Sequence, residues 1–200
     1  MIKAEDCNNL FNKCIEHYHV LDTVDQPFAP VEGNDIEQLL YQKCWIDSVQ
    51  WHFEDLIRDP EIDPKEGMAL KRLIDASNQR RTDMVEQIDD WFLGQFSTAN
   101  AVDNATVNTE SPAWVLDRLS ILALKIYHMR EQVERENVDA AHIQQAKAKL
   151  AVLDEQQIDL SASFNELLAD ISNGKRLMKV YRQMKLYNDP TTNPVLYKNK

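Results

Sequence analysis

The sequence predicts an all-α fold, a single-domain antiparallel bundle of about five main helices with a long C-terminal helix or helical hairpin. Three observations carry this reading. Apolar residues recur at three- and four-residue steps along most of the chain. Glycine is scarce, 4 in 200 residues, and most of the 7 prolines stand between helical patterns. Helix-start signatures stand where the apolar patterns begin. A hydrophobic share of 44% over 200 residues suits one domain with a sizeable core. That domain is expected over residues 1–188, with an irregular tail over 189–200.

The first helix is expected over about residues 3–21, where Leu10, Cys14, Tyr18 and Leu21 share a face. A loop with Pro27, Pro30 and Gly33 follows. Asn34 then starts a second helix, with Glu37 three positions on as in a capping box, and Pro60 ends it after about Arg58. Asp63-Pro64-Lys65-Glu66 combines an Asp cap, a first-turn Pro and a Glu at the third position, and opens a third helix to about Phe96. Residues 97–110 are polar and nearly featureless, a length that marks a functional or disordered loop. Ser111-Pro112 starts a fourth helix, which runs to about Glu136, and Asn137-Val138-Asp139 turns the chain.

The last helix is the longest. Ile143, Ala146, Leu150, Leu153, Gln157, Leu160, Phe164, Leu167, Ile171, Gly174 and Met178 alternate three- and four-residue steps, one heptad seam. Unbroken over 140–186 it would span about 70 Å at 1.5 Å per residue, more than the width of a small domain. A bend near Ser172-Asn173-Gly174, or a protruding hairpin with the fourth helix, is therefore expected. A dimeric coiled coil, and with it a homodimer, is the other arrangement such a seam allows.

The formal net charge of -11 argues against nucleic-acid binding, because an acidic surface repels phosphate backbones. The distribution is uneven: residues 172–200 hold seven basic residues against one acid, Asp189. Cys7, Cys14 and Cys44 form an odd, sparse set without a CxxC, expected as reduced thiols of a cytoplasmic chain, with packing preferred to chemistry. The first ten residues are polar and acidic, unlike a signal peptide, and no run reaches the ~20 apolar residues of a membrane span.

Candidate functional residues are the polar side chains on apolar faces. The fourth helix is apolar nearly all round, yet Asp117 and His128 share one stripe of it and Arg118 and Lys125 the adjoining one. Buried unpaired charges cost several kcal/mol each, so these four require either an internal ion-pair network or a ligand. On the third helix Arg81 sits amid a core face, where its fork suits a carboxylate or an anion. Asp75, Asn78, Thr82, Glu86 and Asp89 run beside it, either as a solvated flank or as part of a site. On the second helix Ser48, His52, Asp55 and Asp59 lie between two apolar faces. A divalent metal held by His52, Asp55, Glu86 and Asp89 across two helices is one consequence, since bundle metal sites are built from carboxylates and His at helical spacing. The sequence has no Gly-rich phosphate loop, nucleophile elbow or HExxH.

Trp51-His-Phe-Glu-Asp-Leu-Ile-Arg-Asp-Pro60, Ile74-Asp-Ala-Ser-Asn-Gln79, Leu116-Asp-Arg-Leu-Ser-Ile-Leu-Ala-Leu-Lys125, and Lys179-Val-Tyr-Arg-Gln-Met-Lys185 with Tyr187-Asn-Asp-Pro190 resemble a bacterial family known as domain of unknown function 4254. The resemblance covers most of the chain and implies no activity. It does imply a context, the neighbourhood of glycosyltransferases for lipopolysaccharide and other surface glycans.

Three functions follow as expectations, and whether the protein is an enzyme stays open among them. The first is an interior polar site for an anionic sugar-phosphate or nucleotide-sugar. There Arg81, Arg118 and Lys125, with Asn78 beside them, hold the ligand, His128 and Asp117 position or transfer a proton, and Lys179 and Arg182 extend the site. The second is a non-enzymatic partner of a glycosyltransferase, resting on the seam, the basic C-terminal segment and the 97–110 loop. The third is a metal-dependent phosphohydrolase using the His52 set.

Overall fold

A computed structural model describes residues 2–186 and 189–198. Its helices are α1 (Ala4–Tyr18), α2 (Asp35–Leu56), α3 (Pro64–Gln95), α4 (Pro112–Glu134), α5 (Ala140–Ser172) and the short α6 (Pro194–Tyr197). The start signals act as their chemistry dictates. Asn34 Oδ1 accepts from the Glu37 amide while Glu37 Oε2 accepts from the Asn34 amide, a reciprocal capping box at 3.2 and 2.9 Å. Asp63 accepts from the Lys65 and Glu66 amides, and Ser111 from the Trp114 amide, each ahead of a Pro in the first turn. Asp139 accepts from the His142 amide at 2.7 Å.

The most apolar helix is the central one. α4 packs against α1, α2, α3 and α5. Its Ala113, Leu116, Leu119, Ala123 and Leu124 are fully or almost fully buried. Around them stand Phe11 and Ile15 of α1, Leu40 and Cys44 of α2, Ile88 and Phe92 of α3 and Phe164 of α5. Each such large side chain contributes about 1.5–3 kcal/mol by leaving water. All three cysteines are buried free thiols, and burial pushes Cys7 up to about 12 and raises Cys14 as well. They are packing residues, because a protonated thiol is a poor nucleophile.

α4 and α5 form the expected antiparallel hairpin, and every member of the α5 seam from Ile143 to Met178 is buried or half-buried. The helix does not reach residue 186. It ends at Ser172, and Gly174 takes φ +72, where a Cβ would lie 2.0 Å from the Asn100 carbonyl oxygen. Only glycine fits that turn. Residues 175–185 then run without helix as a strap. The heptad seam carries the expected helix on to Met178, which is half-buried, while Leu177 and Met184 beside it face solvent.

The strap also orders the featureless loop. The Val102 amide donates to the Gly174 carbonyl, Thr106 to that of Lys175, and the Leu177 amide back to that of Thr106, at 2.9 to 3.1 Å. A single parallel bridge, Thr106 with Arg176, is the β-like pairing these bonds make. Beyond it the strap crosses the polar stripe of α3. Arg182 pairs with Asp90 and Glu86, the Gln183 amide donates to Glu86, and Lys185 donates to Thr82. From Asn78 to Glu86 that stripe is therefore held by the chain's own C-terminal segment, while Asp75 stays exposed.

In the tail, α6 interrupts what had been expected as irregular chain. Tyr187, Asn188, Asn199 and Lys200 lie outside the described residues. Among the described residues no helix is long and apolar enough to cross a membrane.

Candidate functional site

Along α2, the stripe Ile36, Leu40, Lys43, Asp47 reads as apolar-apolar-charged-charged, and the structure buries all four. Lys43 is 1% exposed. Its ammonium lies 2.5 Å from Asp47 Oδ2 and 2.8 Å from Asp117 Oδ1, and donates to the Asp117 carbonyl at 3.2 Å. Ser120 donates to Asp47 at 2.6 Å. Burial pushes the Lys43 pKa down, but Asp47 and Asp117 more than reverse this and hold it above its ordinary value. Burial raises Asp47, against the pull of Lys43. Asp117 is thus the buried counter-ion of a lysine that sequence reasoning passed over. Its signal was present: an i,i+4 Lys–Asp pair on an apolar stripe rather than on a polar face.

Arg81 leads outward from this cluster. Its Nε lies 3.6 Å from Asp117 Oδ1, and its side chain is 26% exposed. It stands between two clefts. One, of about 300 Å³, includes Asp47, Gln50, Asp55 and Ile121 in its wall. Asp47 Oδ1 and Gln50 Oε1, both buried, have no hydrogen-bond partner there. The other, of about 400 Å³, is walled by Asp75, Asn78, Arg81, Thr82, Trp114, Gln183 and Lys185. The Asn78 side chain is turned to Gln50, whose amide donates to it at 2.8 Å. A third cleft of about 470 Å³ shares Trp114 and Gln183 with the second and adds Lys179 and Glu110. Asn78, Arg81 and Lys179 therefore line adjoining clefts around Trp114, as two walls of α3 and α4 closed by the strap.

The remaining predicted residues go elsewhere. Arg118 is exposed and pairs with Glu110 at 2.6 Å. Lys125 is exposed between a cleft on α5 that also takes in Asp117 and Arg118 and one that takes in His128 and Asp55. Arg182 is spent clasping the strap to Glu86 and Asp90. Asp117 and His128 serve different clusters, about 16 Å apart along one helix at 1.5 Å per residue.

The metal set proposed from sequence does not assemble. The Gln50–Asn78 bond fixes the antiparallel register of α2 on α3. Glu86 and Asp89 then lie level with the first turns of α2, about 15 Å or more from His52. Glu86 is engaged by the strap, and burial raises Asp89 to about 6 despite its hydrogen bond with Ser111. His52 instead meets His19 and His128. One ring nitrogen of each lies within 4.8 Å of the others. His52 Nε2 is 3.3 Å from His19 Nε2 and 3.3 Å from Asp22 Oδ1. Burial lowers the His52 pKa, against the pull of Asp22. His19, at the C-terminal end of α1, had no helical periodicity to reveal it. It becomes visible only when α1 packs across α2 and α4.

A family model described as protein of unknown function (DUF4254) matches residues 37–180. The chain belongs to the DUF4254 family. The match takes in α2 from its first turn, all of α3, α4 and α5, and the start of the strap. The DUF4254 region thus contains Lys43, Asp47, His52, Arg81, Asp117 and His128, whereas His19, Asp22, Gln183 and Lys185 lie outside it. No curated protein and no solved structure is significantly similar to the chain.

Proposed function

We propose that the protein binds an anionic sugar ligand, a sugar phosphate or nucleotide-sugar of surface-glycan assembly, in the clefts around Trp114. One observation carries the reading: Arg81 and Lys185 face one polar cleft against an indole ring, in a chain of net charge -11. The carboxylate that lines that cleft, Asp75, is already paired with Lys71, and Arg81 keeps part of its guanidinium exposed although its Nε lies 3.6 Å from Asp117. Arg81 offers a guanidinium fork suited to phosphate, and Lys185, whose ammonium now donates to Thr82 and the Asn78 carbonyl, adds a mobile point charge. Gln183 and Thr82 suit hydroxyl groups, and Trp114 suits the flat face of a sugar or base. A volume of about 400 Å³ matches a sugar phosphate, and the adjoining cleft of about 470 Å³ gives a nucleotide-sugar room to extend. The glycosyltransferase neighbourhood implied by the family resemblance favours the same ligand class.

Calorimetric titration of the full chain with a panel of sugar phosphates and nucleotide-sugars tests the proposal. At least one member is expected to bind, with affinity falling about tenfold or more in Lys185→Ala, the loss of one charge-assisted contact. No binding across the panel, or binding indifferent to both Lys185→Ala and Arg81→Gln, contradicts it.

A further inference from the structure

The geometry points to a zinc site formed by His19, His52 and His128, with Asp22 as a fourth ligand. It does not rest on the ligand reading above, because none of these residues lines the Trp114 clefts.

The first argument is the arrangement of lone pairs. His19 Nδ1 is bonded to the Ile15 carbonyl at 2.7 Å, so it carries the proton and Nε2 is left as an acceptor, which His52 Nε2 meets at 3.3 Å. His128 Nδ1 is bonded to Glu131 at 2.8 Å, and its Nε2 is buried with no hydrogen-bond partner. The acceptor nitrogen of His19 is thus shared with His52, and that of His128 has no hydrogen-bond partner among the described residues. A carbonyl or carboxylate on the far ring nitrogen is the arrangement that orients metal-ligating histidines and raises their basicity.

The second argument is distance. With zinc–nitrogen bonds of about 2.0–2.1 Å, two ligands of a tetrahedral ion stand about 3.3 Å apart. His52 Nε2 is 3.3 Å from both His19 Nε2 and Asp22 Oδ1, while Asp22 Oδ1 is 3.9 Å from His19 Nε2. With the three ring nitrogens within 4.8 Å of one another, closing the site on His128 asks for a movement of up to about 1.5 Å, within reach of a χ rotation. Asp22 holds φ 54, in the left-handed region that a non-glycine residue adopts only at a cost. That backbone turns its carboxylate back toward the rings at the end of α1.

The third argument is rigidity. Each imidazole is stacked on its own aromatic ring: His19 on Tyr127 at 4.3 Å, His128 on Trp51 at 4.8 Å and His52 on Tyr18 at 5.3 Å, all with interplanar angles under 30°. A site held by packed flat faces is preorganised, so little ordering remains to be done on binding. Nitrogen ligands with one carboxylate suit zinc among the common divalent ions, and disfavour magnesium and calcium, which take oxygen.

Long-range ¹H–¹⁵N spectra of the 200-residue chain titrated with ZnCl₂ read out the site without a variant. The chain has five histidines. The Nε2 resonances of His19, His52 and His128 are expected to shift at one equivalent, with His17 and His142 unmoved. CoCl₂ in place of zinc is expected to give the intense visible band of a four-coordinate complex, lost in His52→Gln. Glu131→Gln, at a half-exposed position, is expected to weaken zinc binding about tenfold to hundredfold. No histidine shift, shifts at His17 or His142 instead, or a cobalt band that survives in both His52→Gln and His128→Gln would overturn the assignment.

Discussion

The two polar clusters at the opposite ends of α4 solve one problem in opposite ways. At its start, Lys43, Asp47, Asp117 and Ser120 are buried together, and opposite charges stand within 2.8 Å of one another. Toward its end, His19, His52 and His128 bring like groups together, and two of the three rings direct unprotonated nitrogens at their neighbours. The lysine cluster balances its charge once Arg81 is counted with Lys43 against Asp47 and Asp117, and it serves the architecture even with Asp47 Oδ1 left without a hydrogen bond. A cluster of converging ring nitrogens is the kind that can take an electrophile. The comparison teaches that burial of charge alone is a poor sign of function, and that the informative sign is what the neighbours leave unsatisfied.

The largest effect that can break this comparison is loss of Lys43. Lys43→Met leaves Asp47 and Asp117 in the core without their shared cation, and is expected to cost about 3–5 kcal/mol in urea unfolding. A cost under about 1 kcal/mol would mean that the cluster is not the architectural element described. Asp117→Asn keeps the packing and removes one carboxylate, along with the ion-pair partner of Arg81. Its expected cost is about 1.5–3 kcal/mol by the same measurement.

Asp89 sharpens the contrast, as a buried carboxylate whose near cation, Arg182, is already held by Asp90 and Glu86. Its folded pKa of about 6 lies above the 3.8 of an exposed aspartate. Between those values the folded chain keeps the proton and the unfolded chain has released it, so this residue's contribution to stability falls as pH rises from about 4 to about 6. Asp89→Asn is expected to remove that slope and to stabilise the protein near neutral pH by about 1 kcal/mol, read from unfolding curves across pH. The smallest effect belongs to the histidines. Without metal, His52→Gln is expected to cost about 1 kcal/mol or less. With zinc, the wild-type Tm is expected to rise with metal concentration and that of the variant to stay level.

The helices were legible because their signals are local. Asn34 with Glu37, Asp63 with Pro64, Ser111 with Pro112, and the Ile143–Met178 seam each act within one helix or one turn. Arg81 was legible because it interrupts an apolar face. The strap reads as helix because the seam steps on through Gly174 and Met178; the turn expected near Ser172-Asn173-Gly174 is there, but it ends the helix, and it is fixed by a backbone 74 residues away, at Asn100. Lys185 and Gln183 joined the Trp114 cleft for the same reason: the strap's course is tertiary. Lys43 and Asp47 carry the i,i+4 spacing of an ordinary surface pair, and only their place on the Ile36–Leu40 stripe of α2 marks them as buried. His19 and His52 lie on different helices, and their meeting depends on how α1 crosses the bundle.

The contrast between the two clusters comes down to which of them accepts an ion. Crystals of the 200-residue chain grown with ZnCl₂, with diffraction recorded at the zinc absorption edge, answer it directly. The account predicts one strong anomalous peak among the imidazoles of His19, His52 and His128, and none beside Asp47 and Asp117. A peak at the aspartates, or an empty space between the histidines at saturating zinc, would contradict it.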